Sequence, residues 1–238
     1  MACTYLDCLA LLGVGGAHPG GLKLTKDILA KELMDEDCTI LDAGSGTGQT
    51  SAYIAEQYQC DVIASDMSQI MLEKAKKRFS NLGLSIRTQQ GNIEQLPFRN
   101  NMFDVVLSES VIAFTQIPKT LAEFKRILKP EGILLAIEMV REQPLEKEDE
   151  HLIKEFYGIK KLPSDSEWLE LLRASGFTHI TIEKFDISSL KGSDLDDTPD
   201  FDLSEQVDDR VFDVMKEHHH LSETYKDHLG FSLFRCSV

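Results

Sequence analysis

The chain lacks any apolar run near the ~20 residues that a membrane-spanning helix requires, so no anchor of that kind is expected. It also lacks CxxC spacing. Its five cysteines (Cys3, Cys8, Cys38, Cys60 and Cys236) are odd in number and scattered, which excludes a disulfide framework and fits reduced thiols in a cytoplasmic protein. A soft-metal or arsenic site built from Cys3, Cys8, Cys60 and Cys236 has no spacing to support it, and no metal is expected. Positive charge is scarce, with 25 Lys and Arg against 40 Asp and Glu. The excess acid is uneven: residues 1–141 hold 17 acids and 14 bases, residues 142–238 hold 23 and 11. Such a surface repels phosphate backbones, so nucleic acid is not expected as a partner. There are no internal repeats. The N-terminal MACTYLDCLALLGVGG is apolar but has no basic head, and Asp7 interrupts it, so a short packed helix is expected rather than a secretory signal. A hydrophobic share of 42% over 238 residues suits one enzyme-sized domain, 1–238.

What is present is an alternation. Residues 38–43 (CTILDA) end in Asp42; the loop Gly44-Ser45-Gly46-Thr47-Gly48 follows, then TSAYIAEQY at helical spacing. Residues 60–66 (CDVIASD) read as a second strand. The next helix has Ser68 as its N-cap and Gly83 as its stop. Residues 84–90 and 102–110 read as strands, and a helix enters through Pro118. A fifth strand, 132–140, follows a turn at Lys129-Pro130-Glu131-Gly132. This pattern predicts a parallel sheet with right-handed crossovers. The later chain differs: a helix over 164–176 runs from Ser164 to Gly176, and 179–187 and 230–238 are expected as antiparallel neighbours closing one side of the sheet.

A glycine-rich turn before a helix presents free N–H groups and the positive end of a dipole to a ligand. The dinucleotide fingerprint needs a small third residue where this chain has Gln49, and a P-loop needs a Gly-Lys-Ser/Thr that is absent. Asp66 ends the second strand, where an acid can accept both hydroxyls of a ribose.

LDAGSGTGQTSAYIAE, SDMSQIMLEKAKKR, GNIEQLPFRNNMFDVVLSES and LKPEGILLAIEMV, in that order and spacing, resemble the successive motifs of the class I S-adenosylmethionine-dependent methyltransferases that act on small molecules. The resemblance covers roughly residues 38–140. It implies an α/β, Rossmann-like three-layer sandwich with a seven-stranded, mostly parallel sheet whose last strand is antiparallel. It implies S-adenosylmethionine as the methyl donor and an in-line displacement onto a small-molecule acceptor. Carried over by position, Gly44, Ser45 and Gly46 pass under the methionine part and Asp42 holds its amino group. Asp66 takes the ribose, Met67 packs on the adenine, Asn92 and Ile93 meet its edge and face, and Ser108 stands beside the sulfonium. Many relatives have Asp in place of Asn92, and an amide keeps both donor and acceptor capacity.

Residues 1–30 resemble a cofactor-covering segment, whose glycines at 13–21 are too dense for a packed element. Segments 142–163 and 190–229 fall outside the alternation and are expected as lid insertions, with an amphipathic helix over 150–159. Tyr5, His18, Glu109, His151 and Tyr157 are the candidate substrate-lining residues. His18 and Glu109 lead the candidates for a proton acceptor, though many acceptors need no base. Residues 194–205 place acids at EF-hand-like offsets, but Pro199 occupies the position that needs glycine, so a solvated acidic loop is expected. His218-His219-His220 splay around a helix and are expected as an exposed run. Two other readings stay open here: a nucleotide-linked oxidoreductase, and a catalytically silent cofactor sensor. The oligomeric state is not legible.

Overall fold

The computed structural model describes residues 3–185 and 200–238. The first helix, α1 (Tyr5–Leu12), starts at a capping box: the Thr4 hydroxyl accepts from the Asp7 amide, and the Asp7 carboxylate accepts from the Thr4 amide. The glycine-dense stretch then holds one element where none was expected and leads into another. Val14–Gly15 form the short strand β1, and Gly21–Leu29 form α2, which buries Leu24, Thr25, Ile28 and Leu29. Glycine density here marks close approach of backbone to its neighbours rather than looseness.

The predicted alternation follows as β2 (Thr39–Ala43), α3 (Gln49–Tyr58), β3 (Asp61–Asp66), α4 (Gln69–Leu82), β4 (Arg87–Gln90), β5 (Phe103–Glu109), α5 (Ile117–Ile127) and β6 (Leu128–Arg141). Ser68 caps α4 by accepting from the Met71 amide, and Gly83 ends it. Beyond β6 come α6 (Lys147–Tyr157), α7 (Asp165–Ala174), β7 (Thr178–Lys184), β8 (Asp200–Phe201), α8 (Asp209–Thr224) and β9 (Leu229–Ser237). The main sheet has seven strands in the order β4-β3-β2-β5-β6-β9-β7. β9 runs antiparallel to both β6 and β7, as the sequence led us to expect. The chain moves outward from β2 to β4, then returns to lay β5 on the other side of β2. That reversal opens a crevice at the carboxyl ends of β2 and β5.

Alternation along the strands makes the three layers. Ile40, Val105, Leu107, Leu135 and Ile137 face Leu24, Ile28 and Leu29 of α2 and Ile54 of α3. Leu41, Val106, Leu134 and Ala136 face Leu121, Phe124 and Ile127 of α5 and Trp168 and Leu172 of α7. Each fully buried side chain of this size contributes roughly 1.5–3 kcal/mol, and a one-residue slip would exchange the two faces.

β6 begins earlier than expected. Leu128 pairs with Phe103 but Ile133 pairs with Val105, so Lys129, Pro130, Glu131 and Gly132 bulge out opposite Asp104. The predicted turn exists as this bulge within one strand.

Above the carboxyl ends lie α1, α6 and α8. Cys8, Leu9 and Leu12 of α1 pack with Met71 of α4 and Val211 of α8. Segment 142–163 supplies α6, and the described part of 190–229 supplies β8 and α8. β8 pairs antiparallel with β1, Val14 opposite Phe201 and Gly15 opposite Asp200. α4 ties this small sheet down: Arg78 pairs with Asp200, Lys77 with Asp202 at 3.0 Å, and the Lys74 ammonium donates to the Asp202 carbonyl. Two acids of the EF-hand-like pattern are thus ion-paired. Its positions 194–199 lie outside the described residues, and those described form no metal-binding cluster. No helix among the described residues is long and apolar enough to cross a membrane.

Candidate active site

The glycine loop runs from the end of β2 to the start of α3, with Gly44 at φ 91° and Gly46 at φ 51°. The two glycines serve different ends. A Cβ at Gly44 would overlap the Val111 side chain, so that glycine lets the loop after β5 pack close. A Cβ at Gly46 would meet nothing within 4 Å, so that glycine borders open space.

Two carboxylates flank this space. Asp66, at the end of β3, accepts the Gly46 amide at 2.9 Å on one oxygen and the Ser68 amide at 2.8 Å on the other. Burial raises its pKa and these amides oppose the rise. Asp42, on β2, is 2% exposed and accepts the Ser51 hydroxyl at 2.5 Å. Burial, and then the charge of Glu109, push its pKa up to about 7. Met67 stands 67% exposed beside Asp66, whereas Ile93 is buried and the Asn92 carboxamide oxygen accepts the Glu94 amide.

The tip of β5 carries Ser108, Glu109 and Ser110. Ser110 has φ 58°, a conformation that costs a non-glycine residue energy and is found at functional turns. The buried hydroxyls of Ser45, Ser65, Ser108 and Ser110 have no protein partner. Buried hydroxyls left unpaired cost free energy; Ser45 lies in the loop itself, and the Ser65 carbonyl accepts the amides of Gly44 and Ser45.

The structure brings His18 and Glu109 together. The His18 imidazole Nε2 lies 3.4 Å from Glu109 Oε1, both side chains under a tenth exposed. Thr25 Oγ1 donates to Glu109 Oε1 at 2.5 Å and sits 3.2 Å from His18 Nε2; Thr50 Oγ1 donates to Glu109 Oε2 at 2.8 Å. Both carboxylate oxygens are therefore fixed in place. Tyr5 and Tyr157 form a second group: Tyr5 makes ring contacts with Phe114, Phe156, Tyr157 and His218, and the Tyr157 hydroxyl lies 2.9 Å from His218 Nδ1. Burial raises the pKa of both tyrosines and lowers that of His218.

Two expectations need correction. His151 is not part of either group: its side chain is 77% exposed, near Glu155, because α6 turns Ile153 and Tyr157 inward and leaves residue 151 on the opposite face. The histidine run is not uniformly exposed. His219 and His220 face solvent, but His218 is half-buried against Tyr5 and Tyr157. Its spacing from Val211, Val214 and Leu221 on the apolar stripe of α8 was the available signal.

Thr25, Thr50 and Glu138 escaped the sequence reading. Glu138 is fully buried on β6 and accepts the amides of Val111, Ile112 and Ala113 at 2.8–3.2 Å, which pins the loop between β5 and α5. Burial lifts its pKa to about 7 against the pull of those donors. A lone acid inside GILLAIEMV was its signal; the two threonines had none.

A mostly parallel sheet in this order with an antiparallel β9, an open glycine loop and an acid closing the next strand are the frame of class I S-adenosylmethionine-dependent methyltransferases. Residues 41–136 match the family model described as a methyltransferase domain. Over 233 residues, 97% of each chain, the sequence is 42% identical to the uncharacterized methyltransferase YodH of Bacillus subtilis, and the chain belongs to this methyltransferase family. It is an enzyme of the class that uses S-adenosylmethionine as methyl donor. Its fold is similar to that of phosphoethanolamine N-methyltransferase 2 of Haemonchus contortus in complex with S-adenosyl-L-methionine (TM-score 0.75, 19% identity, 98% of this chain and 57% of that one). It is also similar to geranyl diphosphate C-methyltransferase of Streptomyces coelicolor (TM-score 0.68, 17% identity, 91% and 79%). At these identities the likeness is one of fold.

Proposed function

We propose that this enzyme methylates a small-molecule acceptor held between the tip of β5 and the helices α1, α6 and α8. The observation that carries the reading is the open space at Gly46, bordered by Asp42, Asp66 and the unpartnered hydroxyls of Ser45, Ser65, Ser108 and Ser110. S-adenosylmethionine, when bound there, supplies an electrophilic methyl group on its sulfonium. In this reading the Gly44–Gly46 backbone lies under the methionine part and Asp42 receives its ammonium. Each Asp66 oxygen keeps a lone pair free for a ribose hydroxyl beside the amide it already accepts. Exposed Met67 and buried Ile93 give the adenine apolar surfaces, Asn92 meets its edge, and Ser108 faces the sulfonium.

The covering role of residues 1–30 finds support in the small sheet. A Cβ at Gly15 would come within 3.1 Å of Thr47 Oγ1 and 3.3 Å of Gln49 Oε1, so the β1 backbone lies against the start of α3. With α1, α6 and α8 it walls the acceptor off from water, which favours alignment of the nucleophile over hydrolysis. Glu109, fixed by Thr25 and Thr50, orients a donor group of the acceptor, and His18 lies within reach of the same oxygen. The aromatic group around Tyr5 supplies the apolar wall. Free thiols at all five cysteines fit a cytoplasmic setting.

The test is transfer of label from tritiated S-adenosylmethionine into a pooled metabolite extract, with Glu109→Gln alongside. The reading expects label in a small-molecule fraction and a lower rate for the variant with unchanged cofactor affinity. Label in protein or nucleic acid, or cofactor binding without any transfer, would overturn it.

A further inference from the structure

Cys3 and Cys8 stand at the start of α1 with their sulfurs 3.1 Å apart. Their positions follow from the capping box. With Thr4 as N-cap and Asp7 as the third helical residue, Cys3 is the residue before the cap and Cys8 the fourth inside. Those two positions are the ones whose side chains meet across a helix entry, normally as an apolar staple. Here both members are thiols. The sulfurs of Cys38 and Cys60 are engaged elsewhere: Cys38 turns to an Asp35 carboxylate oxygen at 3.5 Å and Cys60 to the Asp35 carbonyl at 3.1 Å.

We propose that Cys3 and Cys8 are a reversible disulfide site that locks the first turn of α1. A disulfide needs its sulfurs about 2.05 Å apart, so closure asks for roughly 1 Å of approach between side chains already held by the cap. The two thiols are not equivalent. Cys8 is fully buried, and burial together with its bond to Cys3 pushes its thiol up to about 12, so it keeps its proton. Cys3 is half-buried and is the sulfur an oxidant meets. With a peroxide as oxidant, Cys3 takes one oxygen to become a sulfenic acid and the peroxide's other oxygen leaves as water. The Cys8 sulfur then bonds to the Cys3 sulfur, and the displaced hydroxyl departs with the Cys8 proton as a second water. Two thiols and one peroxide thus give one disulfide and two waters, and a dithiol reverses the change.

The closed ring spans residues 3–8 and includes Tyr5, whose ring packs on Phe114, Phe156, Tyr157 and His218. Locking this turn therefore fixes one wall of the proposed acceptor chamber, whereas the bond itself does not depend on that chamber being correctly assigned.

The test treats the full chain with a small excess of hydrogen peroxide, blocks free thiols and digests with trypsin. Cys3 and Cys8 lie in one fragment, residues 1–23, because Lys23 is the first basic residue. That fragment should lose two hydrogens and regain them with dithiothreitol, and neither Cys3→Ser nor Cys8→Ser should show the two-hydrogen loss. Amide hydrogen exchange over Tyr5–Leu12 should slow on oxidation in the wild type alone. Cys3 oxidised past the sulfenic stage with Cys8 still reduced, or a bond from either to Cys38 or Cys60, would overturn the pair. A disulfide that leaves exchange in α1 unchanged would overturn the lock.

Discussion

At the carboxyl ends of β2 and β3 the geometry is set by backbone from one short stretch, Asp42 to Asp66, with three glycines of positive φ (Gly44, Gly46 and Gly48) and amides aimed at a carboxylate. Above β5 it is set by side chains from five distant segments: Tyr5, Thr25, Phe114, Tyr157 and His218. Local backbone geometry demands particular residues at fixed spacing, so the first region announces itself in a sequence. A wall of rings demands only that apolar groups arrive from somewhere, so the second does not. The same contrast separates what every member of such a fold must bind from what distinguishes one enzyme from the next.

Four effects sharpen or break this contrast. The largest effect is expected at the glycine loop. Gly46→Val should keep its fold, at a cost of about 1–2 kcal/mol for a side chain in left-handed backbone, yet lose more than ~100-fold in affinity for S-adenosylhomocysteine by calorimetry, about 2.7 kcal/mol or more. Gly44→Ala should instead lose stability in urea, because its Cβ displaces Val111. Equal loss of affinity from both would blur the distinction between fold and ligand roles. Next, Asp66→Ala should weaken cofactor binding by about 1–3 kcal/mol by stranding polar partners, and part of that loss comes from releasing the Gly46 amide.

The third effect concerns pH. Asp42 and Glu138 both titrate near 7 in the folded protein, well above their unfolded values. The folded state holds protons that the unfolded chain has released, so their contribution to stability is complete below about pH 4 and is lost as pH rises through about 7. Urea midpoints should accordingly fall from pH 5 to pH 8, less steeply in Asp42→Asn and in Glu138→Gln. Cofactor affinity should move the other way, rising through pH 7 as Asp42 ionises to receive an ammonium, and Asp42→Asn alone should flatten that rise. A parallel fall of both quantities would detach Asp42 from the ligand. The smallest effect lies in the roof. Tyr157→Phe removes the bond to His218 and should cost about 0.5–1.5 kcal/mol while cofactor affinity stays unchanged. A loss of cofactor affinity there would join the two regions into one.

The alternation of the sheet, the caps at Ser68 and Ser164 and the loop-Asp66 pair were legible because each rests on a periodicity or on a residue type that a turn demands. β1 and α2 were not, since glycines that permit close packing look the same in sequence as glycines that permit disorder. His151 and His218 show the other limit. Helical phase decides which of several polar residues turns inward, and phase is fixed only once the neighbouring apolar stripe has been matched to its partner. Thr25 and Thr50 find their meaning in Glu109, which no local pattern connects to either.

The most direct test of the cofactor assignment is amide NMR mapping during titration with S-adenosylhomocysteine. The account predicts that the largest shifts fall on Gly44–Gly48, Asp66–Met67 and Asn92–Ile93. Shifts concentrated instead in the cleft lined by Arg141, Glu150, Lys154, Lys160, Lys161 and Glu167, with the loop unperturbed, would contradict it.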